Sequence, residues 1–184
     1  MRKGFAALLC LVMMAVSAHA AEVTGRFSLT THDGRPVTEA SFAGRVRVVT
    51  FGYTFCPDIC PTTLSTVASA LDLLGAKADQ VTPLFVTVDP HRDSAAHLKE
   101  YVASFGPSFV GLTGSVEQVD EAARAFRVRY VLQPPQDPAE PDVYFVDHSA
   151  GIYIMDRQGG FVAKMGHRAD PEEVAARLLE VIDK

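Results

Sequence analysis

Arg45-Val46-Arg47-Val48-Val49-Thr50-Phe51-Gly52-Tyr53 runs without a break into Thr54-Phe55-Cys56-Pro57-Asp58-Ile59-Cys60-Pro61. The first part is β-branched and apolar enough for a strand buried on both faces at the centre of a sheet. Pro61 fits the first turn of a helix, where its missing N–H is not needed. Leu64, Val67, Ala68, Leu71 and Leu74 then recur at helical spacing until Gly75. The two cysteines therefore fall between the C-terminal end of a central strand and the N-terminus of a helix.

Upstream, Phe27-Ser28-Leu29-Thr30 and Val37 flank His32-Asp33-Gly34-Arg35-Pro36, which predicts a hairpin at the sheet edge. Downstream, Val81–Val88 predicts a strand ending in Asp89-Pro90, followed by a helix over Ser94–Phe105. A short strand over Phe109–Leu112 comes next, then a helix from Ser115 to Phe126 with Ser115 as its cap and Gln118 as the capping-box partner. Four prolines make Gln133–Pro141 a surface loop. Strands are expected over Val143–Asp147, Gly151–Met155 and Phe161–Met165, the last two joined by a turn at Asp156–Gly160, and Asp170 caps a final helix through Ile182. This alternation predicts an α/β fold with a mixed, partly parallel central sheet, helices on both faces and an N-terminal hairpin.

The chain begins with Arg2 and Lys3, an apolar run of 14 residues from Phe5 to Ala18, and Ala18-His19-Ala20 before Ala21. This reads as a signal peptide over residues 1–20 with a small-residue cleavage site, because a membrane anchor needs roughly 20 apolar residues. Export, into the periplasm of a bacterium, is the expected location, with no membrane span in the mature chain. Residues 21–184 are expected to form one domain and to act as a monomer. Losing Arg2 and Lys3 moves the formal charge from −5 to −7, and no cluster of Lys or Arg remains to track phosphates, so nucleic acid is excluded as a partner.

Cys10 lies inside the expected leader, which leaves Cys56 and Cys60 to the exported protein. A bridge closing so short a loop constrains the unfolded chain only slightly, so stability is a poor reason for the pair. A helix N-terminus favours thiolate, and an i, i+4 spacing on a locally helical turn brings both sulfurs to one face, able to chelate one soft cation or to close a disulfide. Two thiolates suit Cu(I), whereas structural zinc wants four ligands that the chain does not plainly offer. Among the histidines, His19 leaves with the leader, and His32 is expected to be solvated in the hairpin turn. His91 and His97 flank the second helix and read as cap or surface residues, and His167 follows Gly166 in a loop. His148 ends the strand after Val146-Asp147, where a histidine is more often a surface or hydrogen-bonded core residue than a metal ligand.

Three segments taken together closely resemble the Sco/SenC family: Gly52-Tyr53-Thr54-Phe55-Cys56-Pro57-Asp58-Ile59-Cys60-Pro61, then Val86-Thr87-Val88-Asp89-Pro90-His91-Arg92-Asp93, then Val146-Asp147-His148-Ser149 with Ile152–Asp156. Their order and spacing match along nearly the whole mature chain. The resemblance implies a thioredoxin-like fold and copper as the cargo, held by Cys56, Cys60 and His148. It also implies delivery of copper to the binuclear copper site of cytochrome c oxidase, or to another exported copper enzyme. Asp147 is placed either to orient the His148 ring or to shape the strand end, and Asp89 and Asp93 read as a turn and a helix cap.

The sequence departs from that family at position 91, where a histidine replaces a common acidic residue, and in an N-terminus that reads as a cleaved leader where the family is usually anchored. A copper carrier that is not itself an enzyme is the preferred reading. The alternative is a thiol-disulfide reductase in which Cys56 and Cys60 act as the catalytic redox pair, keep the partner's copper-site cysteines reduced and are themselves reduced by a thioredoxin-like partner. A peroxidase reading lacks the threonine-and-cysteine peroxide site.

Overall fold

The computed structural model describes residues 22–184; the expected leader lies outside the described residues. β1 (Ser28–Thr31) and β2 (Pro36–Thr38) form the hairpin. β3 (Val46–Gly52), β4 (Val81–Thr87) and β5 (Val110–Thr113) are parallel, and α1 (Ile59–Leu74) and α2 (Ala95–Ala103) are the crossovers between them. α3 (Val116–Ala125) follows, then β6 (Tyr130–Leu132), β7 (Val146–His148), β8 (Ile152–Met155), β9 (Phe161–Met165) and α4 (Pro171–Ile182). The main sheet has the order β2-β1-β5-β4-β3-β8-β9, with β8 antiparallel to β3; β6 and β7 pair with each other in a separate ribbon. This is the expected α/β architecture with a mixed sheet and an edge hairpin.

The pleat divides each central strand between two cores. Val46 and Val48 of β3 and Phe85 of β4 pack with α1, α2 and α4 on one face. Val49, Phe51, Leu84 and Val86 pack with α3 and the side chains of Phe27 and Leu29 on the other. All seven residues of β3 are buried, the polar Arg47 and Thr50 among them. The helical stretch Ile59–Gln80 is long and apolar enough by composition to cross a membrane. It packs instead through Leu64, Val67, Leu71 and Leu74 in the core, and Gly75 ends α1 at a φ of 54°.

Local chemistry matches the expected helix starts with two exceptions. Ser115 and Gln118 form the capping box of α3, each side chain accepting from the other's backbone N–H. Asp170 stands at the N-cap of α4, but its side chain makes no cap bond. Asp93 is not a helix cap. Ser94 caps α2 by accepting from the His97 N–H, and Asp93 is fully buried, because Thr54 and Thr87 supply three donors to its carboxylate.

Two further expectations are corrected. The strand predicted over Val143–Asp147 is shorter and later: only Val146–His148 pairs, because β6, which the sequence reading did not anticipate, is three residues long. His32 is not a solvated turn residue, since its Nδ1 accepts the Gly111 N–H at 2.9 Å and its Nε2 lies 3.6 Å from the Asp33 carboxylate, pinning the hairpin to β5.

Candidate metal centre

β3 delivers the chain to the site. Cys56 lies in the turn after Tyr53, its N–H donating to the Tyr53 carbonyl at 3.2 Å, and Cys60 is the second residue of α1. Cys56 is thus outside the helix, and the two thiols meet for a reason other than a shared helical face. The Cys60 N–H donates to the Cys56 sulfur at 3.5 Å, so that sulfur takes the place of the side-chain cap that Asp58 does not supply. Gly52 makes the space for Cys60: a Cβ there would stand 2.7 Å from the Cys60 sulfur and 2.9 Å from the Phe85 ring.

The two thiols are chemically unequal. Hydrogen bonding from the Cys60 thiol, aided by His148 and by the N–H groups of Asp58 and Cys60, pushes the Cys56 thiol down to about 3 against the opposing effect of burial. Cys60, donating to that thiolate from a more buried position, is pushed up. At neutral pH the reduced pair holds one thiolate, half-exposed at Cys56, and one protonated thiol behind it.

His148 is the last residue of β7. Its Nε2 lies 3.4 Å from the Cys60 sulfur, its Nδ1 lies 3.3 Å from the Ser149 carbonyl, and its ring stands edge-on to Tyr53 at 6.1 Å. Nε2 is the ring nitrogen that faces the thiols: carrying the proton it donates to the Cys56 thiolate, and with the proton on Nδ1 instead, donated to that carbonyl, its lone pair is free for a metal. Two donors bound to one metal at ordinary lengths of roughly 2.0–2.3 Å are themselves separated by about this distance. Cys56 and His148 line one cleft of about 340 Å³ with Tyr53, Ile59 and Phe145. Among the described residues no three His, Cys, Asp or Glu side chains are gathered closely enough to hold a metal ion as they stand. The donors present, two sulfurs and one imidazole nitrogen, form a soft set that fits copper and lacks the fourth ligand of structural zinc.

The profile of the family described as SCO1/SenC matches residues 15–183. Protein sco1 of Schizosaccharomyces pombe is 39% identical over 158 residues, 85% of this chain and 60% of that protein. Protein SenC of Rhodobacter capsulatus is 39% identical over 155 residues, 84% of this chain and 68% of that protein. The chain belongs to the SCO1/SenC family. Among solved structures, copper-bound ScoI of Bradyrhizobium japonicum superposes with a TM-score of 0.78 at 39% identity, covering 86% of this chain and 99% of that one. The thioredoxin-like fold implied by the three sequence segments is thereby shown for this SCO1/SenC chain. It spans about 60% of the length of the fission-yeast relative.

Within this SCO1/SenC site, Asp147 does not orient His148. Neighbouring strand residues point to opposite faces, and the Asp147 carboxylate accepts instead from the Gln133 side chain at 2.6 Å, on the exposed side of the ribbon. His91 is exposed. His97 packs its ring on Phe55 at 5.2 Å, and His167 lines a neighbouring groove with Asp58 and Asp170. Sequence reasoning missed three supports of the site: Gly52, Tyr53 and the pairing of Asp93 with Thr54. Gly52 and Tyr53 stood in the quoted segment, but only the packing distinguishes a spacer from a passenger.

Proposed function

We propose that this SCO1/SenC chain is an exported copper carrier, its domain spanning residues 21–184 behind a cleaved leader. It holds one copper ion by Cys56, Cys60 and His148 and passes it by ligand exchange to an acceptor protein, the copper-site subunit of cytochrome c oxidase or another exported copper enzyme. The observation that carries this reading is the convergence of the Cys60 sulfur and His148 Nε2 at 3.4 Å beside a Cys56 thiolate. Copper bound in the related Bradyrhizobium structure supports the choice of cargo. Cys56 and His148 are both half-buried at the cleft, whereas Cys60 is buried, so an incoming acceptor ligand reaches the metal from the Cys56 and His148 side. Exposed Phe55, Ile59 and Phe145 beside that cleft give an acceptor protein an apolar rim to settle on.

The inequality of the thiols favours a second reading, thiol-disulfide reduction. The Cys56 thiolate attacks one sulfur of a partner disulfide, and the other partner sulfur leaves as thiolate. Cys60 then loses its proton and attacks the Cys56 sulfur, releasing the partner as a dithiol and leaving Cys56–Cys60 oxidised, to be restored by a thioredoxin-like reductant.

Copper titration of the reduced mature protein separates the two. The carrier reading expects one copper per chain. His148→Ala is expected to lose Cu(II) affinity steeply and Cu(I) affinity little, because two thiolates satisfy Cu(I). Unchanged Cu(II) binding and spectrum in His148→Ala would remove His148 from the ligand set. Mixed disulfides trapped by Cys60→Ser with a partner, together with an indifferent His148, would establish the reductase.

A further inference from the structure

Arg92 lies between the thiol loop and the segment that carries His148. Its side chain is 11% exposed, and its Nε donates at 2.5 Å to Asp89, which is fully buried. The other oxygen of Asp89 accepts from the Tyr144 hydroxyl at 2.9 Å. Nη1 of Arg92 donates to the carbonyls of Asp142 and Tyr144, each at 3.0 Å. The guanidinium carbon stands 3.6 Å from the centre of the Tyr144 ring and 4.7 Å from that of Phe55. A single planar group thus touches the loop after β4, the residue beside Cys56, and the segment entering β7.

The remaining amino group, Nη2, is buried without a hydrogen-bond partner. An uncompensated buried donor is costly, so the guanidinium is held here by the two ring faces and by its other bonds. Residues Asp142–Phe145 belong to no strand, and β7 pairs only with the three residues of β6 among the described strands. The start of the His148 segment is therefore anchored by Arg92 and Asp89, and by the Gln133 N–H donating to the Phe145 carbonyl at 2.8 Å, rather than by the main sheet.

We infer that Arg92 is a positioning residue for the site: by clamping Tyr144 against Phe55 it fixes the distance between the His148 strand and the thiols. This rests on the reading of Cys56, Cys60 and His148 as the copper ligands. Lysine cannot replace it, since an ammonium lacks the flat face for stacking and the fork that reaches carboxylate and carbonyls together.

The test compares wild type, Arg92→Lys and Tyr144→Leu, the last of which removes the stack while leaving the arginine. In the reduced, metal-free proteins, amide hydrogen exchange is expected to quicken about tenfold in β6 and β7 and to stay unchanged in β3 and β4. Unchanged exchange in β6 and β7, or an equal rise in all four strands, overturns the inference, the second because it marks Arg92 as a general stability residue. With copper, Cu(II) affinity of Arg92→Lys is expected to fall roughly 10- to 100-fold, as for other residues that orient a ligand, with Cu(I) affinity little changed. If wild type takes up copper and Arg92→Lys matches it for both ions, the positioning role is refuted. If wild type takes up none, the ligand reading fails, and the exchange rates still decide whether Arg92 sets the β7 position.

Discussion

Nε2 of His148 lies 3.4 Å from the sulfur of Cys60, although 88 residues separate them in sequence. Cys60 is fixed by the first turn of α1 and His148 by a three-residue strand outside the main sheet, so the contact joins a rigid element to a lightly held one. His148→Ala is expected to cost only about 1 kcal/mol of stability, the worth of ordinary hydrogen bonds at a half-buried ring. Urea unfolding of the metal-free protein measures this. A loss of several kcal/mol would instead mark His148 as a core residue.

The thiolate at Cys56 has a kinetic signature. With its thiol pushed down to about 3, the ionised fraction is constant across pH 5–8, and alkylation of the reduced protein by iodoacetamide is expected at Cys56 first, with a rate nearly flat over that range. Cys60→Ala removes the largest cause of the lowering and should bring back a rise with pH. A wild-type rate that climbs about tenfold per pH unit would show an ordinary thiol.

Gly52→Ala places a methyl 2.7 Å from the Cys60 sulfur and 2.9 Å from the Phe85 ring, with a buried strand behind it. The sulfur or the helix start must shift. The expected result is a stability loss of about 1–3 kcal/mol together with weaker Cu(II) binding. Stability and copper affinity both at wild-type level would show that the site yields without cost.

Asp93 ties the thiol loop to β4. Its carboxylate accepts from the Thr54 N–H at 3.1 Å, from the Thr54 hydroxyl at 2.6 Å and from the Thr87 hydroxyl at 2.6 Å. Asp93→Ala strands these donors and should cost about 2–4 kcal/mol, with Asp93→Asn costing less. Burial pushes the Asp93 carboxyl up, against the pull of those hydrogen bonds. The folded state therefore holds the proton more tightly than the unfolded chain. That contribution is fully present below the ordinary Asp value and is lost as pH rises through the raised folded value. As pH rises above the ordinary Asp value, wild type should lose stability relative to Asp93→Asn. A gain over the same range would mean that the charged form is the favoured one.

Asp147→Ala should leave Cu(II) affinity nearly untouched, because the carboxylate faces Gln133 on the exposed side of the ribbon and such contacts are worth about 1 kcal/mol or less. A large loss on titration would place the carboxylate near the metal after all.

The sequence by itself determined the strand-to-helix junction at Cys56 and Cys60, the two-faced sheet, the α3 capping box and the edge hairpin. Each is written in local periodicity or in a turn residue, and the resemblance of the three segments to the family singled out His148 as a candidate third donor. Tertiary structure alone decided that Cys60 and His148 meet, that Cys56 caps α1 through its sulfur, and that the thiols ionise unequally. It also turned Asp93 from an expected cap into a buried tie and sent Asp147 away from the ring. The physical reason is that these outcomes depend on which distant groups share a burial site: the missing Cβ of Gly52, the pairing of β6 with β7 and the Arg92 stack have no signature within any one segment.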